Sequence, residues 1–169
     1  MNWTAITALA EVVGAAAVVV SLIYLAIQIR QNTRAVRGAM YDSLVGTNVE
    51  FLHSLAVDGA LAAKFERAVD EWDALAPDDQ RQANFVFFQM FRLWENAYYQ
   101  SRQGTLEPLL WQSWRHLMLS YFGRAGVQKW WRSRRNVFSA DYREFLESAP
   151  QLEDPMPMVS DLRAPSTTR

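Results

Sequence analysis

The sequence predicts an all-α protein in which one N-terminal transmembrane helix continues into a cytoplasmic bundle of about five to six helices. Three observations carry that expectation. Ala5 to Ile29 is a run of 25 residues whose only formal charge is Glu11. Beyond it, apolar residues recur near a period of 3.6, and no run shows the period of two that marks a half-buried strand. Proline, glycine and aspartate then stand where such helices would start and stop.

As a helix, the apolar run is about 37 Å long at roughly 1.5 Å per residue, enough to cross a hydrocarbon core of about 30 Å with some tilt. A cleaved signal would need a basic segment first and a shorter apolar core, whereas Met1 to Thr4 carry no side-chain charge. Arg30, Arg34 and Arg37 follow the run with no acid before Asp42, which puts the C-terminal side in the cytoplasm and the N-terminus outside. Trp3 and Tyr24 suit the headgroup level at its two ends. The expected organisation is an anchor over residues 1–30, a cytoplasmic bundle over 31–149 and a disordered, proline-rich tail over 150–169.

Inside the anchor, Thr7, Ala10, Gly14, Ala17, Ser21, Tyr24 and Gln28 recur at alternating steps of three and four, along one helical seam. All but Tyr24 are small or polar. In lipid no hydrophobic drive brings helices together, so close approach over small residues and hydrogen bonds between polar ones supply the contact. With one convincing span in the chain, the partner helix belongs to another molecule. Homo-oligomerisation is the leading reading, and a separate membrane protein is the second. Glu11 lies one position off the seam. A carboxylate inside a membrane is costly and marks a proton or ion path, but Val12 to Ile29 alone supplies about 27 Å, so the helix can slide until Glu11 meets the headgroups. The interfacial reading is the stronger of the two.

The first helix is expected to run on through Gln28 to Arg37, which holds no Gly or Pro, into Met40 to Val57, where Leu44, Val45, Val49, Leu52, Leu55 and Ala56 recur at helical spacing. Asp58-Gly59 stops it. A short helix over Ala60 to Leu75 turns Leu61, Phe65, Ala68, Val69 and Trp72 inward. Pro77 with Asp78 and Asp79 makes a strong start, because proline fits the first turn and carboxylates favour the positive end of the dipole. The helix that follows runs to about Gln103 and is apolar on most sides, as the centre of a bundle requires. Gly104 ends it and Thr105 caps the next, which buries Leu106, Leu110, Trp114, Leu117, Met118 and Tyr121. A short helix spans Val127 to Val137, and Ser139 caps a last one over Ala140 to Ser148.

Composition narrows the chemistry. A net charge of −1 argues against nucleic acid as the main partner, since neutralising phosphates needs a basic excess. The chain has no cysteine, which excludes disulfides, thiolate metal sites and cysteine nucleophiles. His53 and His116 fall at polar helix edges, outside any H-E-x-x-H or E-x-x-H pairing, and no nucleophile-elbow, phosphate-loop or dinucleotide glycine pattern is present. No cofactor, metal ligand or catalytic residue is assigned. Glu95 is the most informative carboxylate of the bundle: with Phe88, Phe91, Tyr98 and Tyr99 around it, it is partly buried and must be paired or protonated, Arg92, Arg115, Arg132 or Arg135 being the available partners. A structural ion pair outranks a catalytic acid, as no second group is identifiable beside it. Arg124, Lys129, Arg132, Arg134 and Arg135, interleaved with Trp130 and Trp131, could dock on anionic headgroups of the membrane. The competing reading pairs these cations with the acids of Asp58 to Asp79, and it is slightly preferred.

Glu95-Asn96-Ala97-Tyr98-Tyr99-Gln100, Gly104, Leu106, Trp111, Trp114-Arg115, Gly126, Trp130-Trp131, Arg135, Phe138-Ser139 and Tyr142-Arg143-Glu144-Phe145 together resemble a broad family of uncharacterised bacterial proteins. Ser21 to Asn32 is similar to that family's anchor. At Arg124-Ala125 family members often carry proline beside the glycine, a difference confined to the loop. The resemblance implies a bacterial single-pass architecture and brings no catalytic residue with it; the expected location is the bacterial inner membrane. The expected function is a non-enzymatic, membrane-anchored interaction or scaffold module that self-associates through its span. A subunit of a small pore or transport accessory is the second reading, and a ligand-binding or enzymatic domain with an aromatic pocket near Glu95 the third.

Overall fold

The computed structural model describes residues 3–162, leaving out the side chains of residues 4–10, 12, 159 and 160. Six helices and a terminal single turn follow one another: α1 (Trp3–Val57), α2 (Gly59–Asp70), α3 (Pro77–Arg102), α4 (Pro108–Phe122), α5 (Ala125–Arg134), α6 (Ala140–Ser148) and α7 (Val159–Leu162). Among the described residues there is no strand. The chain divides into two units, Met1–Ala39 and Met40–Arg169.

The described residues of the first unit, 3–39, all belong to the first part of helix α1. Val18, Leu22, Ile23 and Ile29 are all exposed, and an 18-residue window of mean hydropathy 1.9 has none of its residues buried. Among the described residues, one helix is therefore long and apolar enough to cross a membrane.

The second unit begins with the end of α1, which turns Leu44 and Phe51 into the core. Asp58 then caps α2, its carboxylate accepting from Ala60 N and Leu61 N at 3.0 Å each, so the residue that stops one helix starts the next. Helix α2 is shorter than its periodicity suggests: it ends at Asp70, and Trp72–Ala74 form a 3₁₀ turn. Pro77 opens α3 with Asp78 and Asp79 in its first turn. Its far end is a Schellman motif: Gly104 adopts φ +70°, Gly104 N donates to Ser101 O at 3.2 Å and Thr105 N to Gln100 O at 3.0 Å. Thr105 does not cap the next helix as expected. Its hydroxyl also turns back to Gln100, and α4 starts later, at Pro108 behind Glu107.

Helix α3 is the axis of this unit. Phe87, Met90, Phe91, Trp94 and Ala97 are buried along it, and the Phe91 ring lies 5.0 to 5.1 Å from Trp94, Trp130 and Trp131. Helix α5 crosses α2 so closely that a Cβ on Gly126 would stand 2.1 Å from Ala68 O and 2.8 Å from Val69 O. Glycine at 126 is thus a packing requirement.

The expected disordered tail is corrected over its described part. Leu152 and Met156 pack on the core, Met158 is buried, Met156 N donates to Ser120 Oγ at 2.9 Å, and Asp161 pairs with Arg124 at 3.1 Å. Proline content lowers helix propensity but leaves three large apolar side chains free to seal the face between α2, α4 and α6. Residues 163–169 lie outside the described residues.

Candidate functional site

Helix α1 holds the seam. Gly14, Ala17, Ser21, Tyr24 and Gln28 are exposed, as is Glu11, while the side chains of Thr7 and Ala10 lie outside the described residues. A Cβ on Gly14 would meet nothing within 4 Å, so nothing in the described chain demands a glycine there. Among the described polar members, Ser21 Oγ donates to Ala17 O and Gln28 Nε2 to Tyr24 Oη, each at 2.8 Å and each within the helix. Such local bonds are what hydroxyl and amide groups need where no water can serve them.

Glu95 sits where α3 meets the start of α6. Its side chain is 16% exposed, and both oxygens are engaged: Oε2 accepts from Arg92 Nη1 at 2.6 Å and Oε1 from Ser139 N at 2.7 Å. Arg92 Nη2 reaches Val137 O at 2.9 Å, and the guanidinium lies 4.7 Å from the centre of the Phe138 ring. Ser139 does stand at the N-cap of α6, but its hydroxyl makes no capping bond. The carboxylate from α3 takes the Ser139 N–H instead, so Arg92 and Glu95 together staple the segment 137–139 onto α3. Beside them lies an open groove of about 570 Å³ lined by Asn96, Tyr99, Arg102 and Asp141 among others. Tyr142 is buried behind this node. Its hydroxyl has no hydrogen-bond partner, and burial, with a smaller contribution from the Glu95 charge, pushes it well above the ordinary phenol range. It is a neutral phenol at any physiological pH.

Three cations of the basic stretch form internal ion pairs. Arg124 grips Asp70 with two bonds of 2.6 and 2.7 Å and also reaches Asp161; Lys129 pairs with Asp73 at 3.1 Å and Arg135 with Glu147 at 3.0 Å. Arg134 reaches Asn84 at 3.3 Å, and Arg132 is exposed. The suggested membrane contact by Trp130 and Trp131 is corrected. Both are core residues, 0% and 2% exposed, and their indole N–H groups donate to Asn84 Oδ1 and Glu147 Oε1 at 2.9 Å each. The alternation of Trp with Arg reads as a lipid-facing pattern only until the fold places the indoles inward, where their polar edge still needs an acceptor.

One buried polar contact has no sequence signal. Ser120, 2% exposed, donates to His116 O and accepts from Met156 N, thereby tying the C-terminal segment to α4. A serine in an apolar helix is otherwise indistinguishable from one that bonds only its own backbone. His53 and His116 are exposed, and among the described residues no three His, Asp or Glu side chains cluster as metal ligands. No family model, curated protein or solved structure matches the chain.

Proposed function

We propose that the protein is a membrane-anchored helical interaction module, self-associating through α1, with its N-terminus outside and its second unit in the cytoplasm of a bacterial cell. The observation that carries this reading is the apolar window of α1, of mean hydropathy 1.9 and with no residue buried. The core helix of a soluble protein would hide such a face, because leaving it in water forfeits about 25 cal/mol for each Å². A cleaved leader fits less well, since α1 runs unbroken to Val57 and supplies Leu44 and Phe51 to the core. Arg30, Arg34 and Arg37 support the orientation. The bacterial origin rests on the resemblance of the sequence, and the inner membrane on the span followed by its basic flank.

Self-association rests on the seam. Glycine inside a helix costs about 1 kcal/mol relative to alanine, and Gly14 gains nothing for it within its own chain. A second helix packed over Gly14 and Ala17 would repay that cost through close contact. The test is fractionation of the full chain followed by native mass spectrometry in detergent. The full chain is expected in the membrane pellet and as an oligomer, and Gly14→Leu as a monomer. Recovery in the supernatant without detergent would overturn the anchor, and an intact Gly14→Leu assembly would overturn the seam.

A further inference from the structure

The second unit leaves an apolar stripe of α1 without a partner. Where α1 joins the core it buries Leu44 and Phe51, yet Val45, Val49 and Leu52 on a neighbouring face are 36%, 57% and 52% exposed. With Ala56, also exposed, they follow one another at steps of four, three and four, the spacing of a coiled-coil seam. Counted back in sevens, Val49 leads to Asp42, Ala35, Gln28, Ser21 and Gly14. Leu52 leads to Val45, Gly38, Gln31, Tyr24 and Ala17. The stripe therefore keeps the register of the small-residue seam. Of the six charged residues in 1–57, five (Glu11, Arg30, Arg34, Arg37 and Glu50) avoid that register, and Asp42 alone falls on it.

We propose that this stripe is the cytoplasmic half of a parallel, in-register coiled coil formed with a second copy of α1. The proposal rests on self-association through the span and extends it by specifying the partner, the direction and the residues beyond the membrane. A second copy is the occupant the register selects. Two chains inserted with the same topology bring residues 31–56 alongside each other at equal height, so each seam position meets its own equivalent. A straight helix would turn away from a strict seven-residue repeat by about 20° per heptad, so a seam this long stays in contact only when two helices wind around each other. The chemistry changes along it as the surroundings do. Small residues carry the seam in the span, where close backbone approach is the driving force, and Val45, Val49 and Leu52 carry it where water makes burial favourable. Asp42, the one charged residue on the seam, sets two carboxylates opposite each other and weakens the pair.

The chain has no cysteine, so single-cysteine variants of the full-length protein report the contact directly in native membranes. On oxidation, Val45→Cys, Val49→Cys and Leu52→Cys are expected to give about fivefold more disulfide-linked dimer than Thr47→Cys and Glu50→Cys, which lie off the seam. Joint replacement Val49→Glu and Leu52→Glu should lower the dimer fraction, and Asp42→Leu should raise it. These positions are exposed, and circular dichroism verifies that each variant folds. Ser21→Cys separates the two layers of the argument. Cross-linking at Ser21 without preference for 45, 49 and 52 over 47 and 50 overturns the coiled coil and leaves membrane self-association standing. No cross-link at any position overturns both. Adducts of 45, 49 and 52 with a heavier protein in place of the dimer also overturn the proposal.

Discussion

Glu95 acts as a clamp: one carboxylate holds Arg92 and the Ser139 N–H, and Arg92 in turn holds Val137 O. Removing it leaves the Ser139 N–H and the half-exposed Arg92 guanidinium to water, so Glu95→Ala is expected to cost about 1 kcal/mol, and Glu95→Gln, which keeps an acceptor for Ser139 N, about 0.5. Thermal melts of both variants against the parent check the order; equal melts would mean the clamp contributes nothing. Tyr142 predicts the opposite sign. Its buried hydroxyl is unpaired, so Tyr142→Phe should leave stability unchanged or raise it by about 1 kcal/mol. That Glu95 needs a partner was legible from the aromatic residues on either side of it. That the Ser139 N–H is one of the donors to its carboxylate was not, because the bond joins residues 44 positions apart.

Helix α5 illustrates what an element can hide. Its crossing with α2 admits no side chain at Gly126, so Gly126→Ala must push the helices apart or bend one of them. A loss of about 3 kcal/mol or failure to fold is expected, read from denaturant titration, whereas Gly104→Ala, with space around it but a positive φ, should cost about 1. The C-terminal segment supplies a pH test. The bond from Arg124, helped by Met158 N, holds Asp161 below the ordinary aspartate range. A carboxylate whose pKa is lowered on folding contributes its full stabilisation above its unfolded pKa and loses it as pH falls through the folded one. Amide exchange over residues 151–162, corrected for its intrinsic pH dependence, should therefore be flat near neutrality and rise only below about pH 4. Asp161→Asn should exchange faster at neutral pH and lose that dependence.

For the molecule as a whole, the helical class, the exposed apolar window of α1, the Pro77 start and the Gly104 stop were all readable in advance. Each depends on chemistry within a turn or two of the chain: transfer of apolar side chains, a missing N–H, a positive φ. The placement of Trp130, Trp131 and the 151–162 segment was not readable. An indole beside arginines suits a headgroup region and a paired core equally well, and only the presence of Asn84 and Glu147 as acceptors decides for the core. Likewise Met158 is buried because α2 and α4 meet in a cleft that no local pattern announces. Periodicity determined which faces of these helices are apolar; the tertiary structure decided which faces meet, because that choice depends on shape, charge and hydrogen-bond complementarity between segments far apart in the chain.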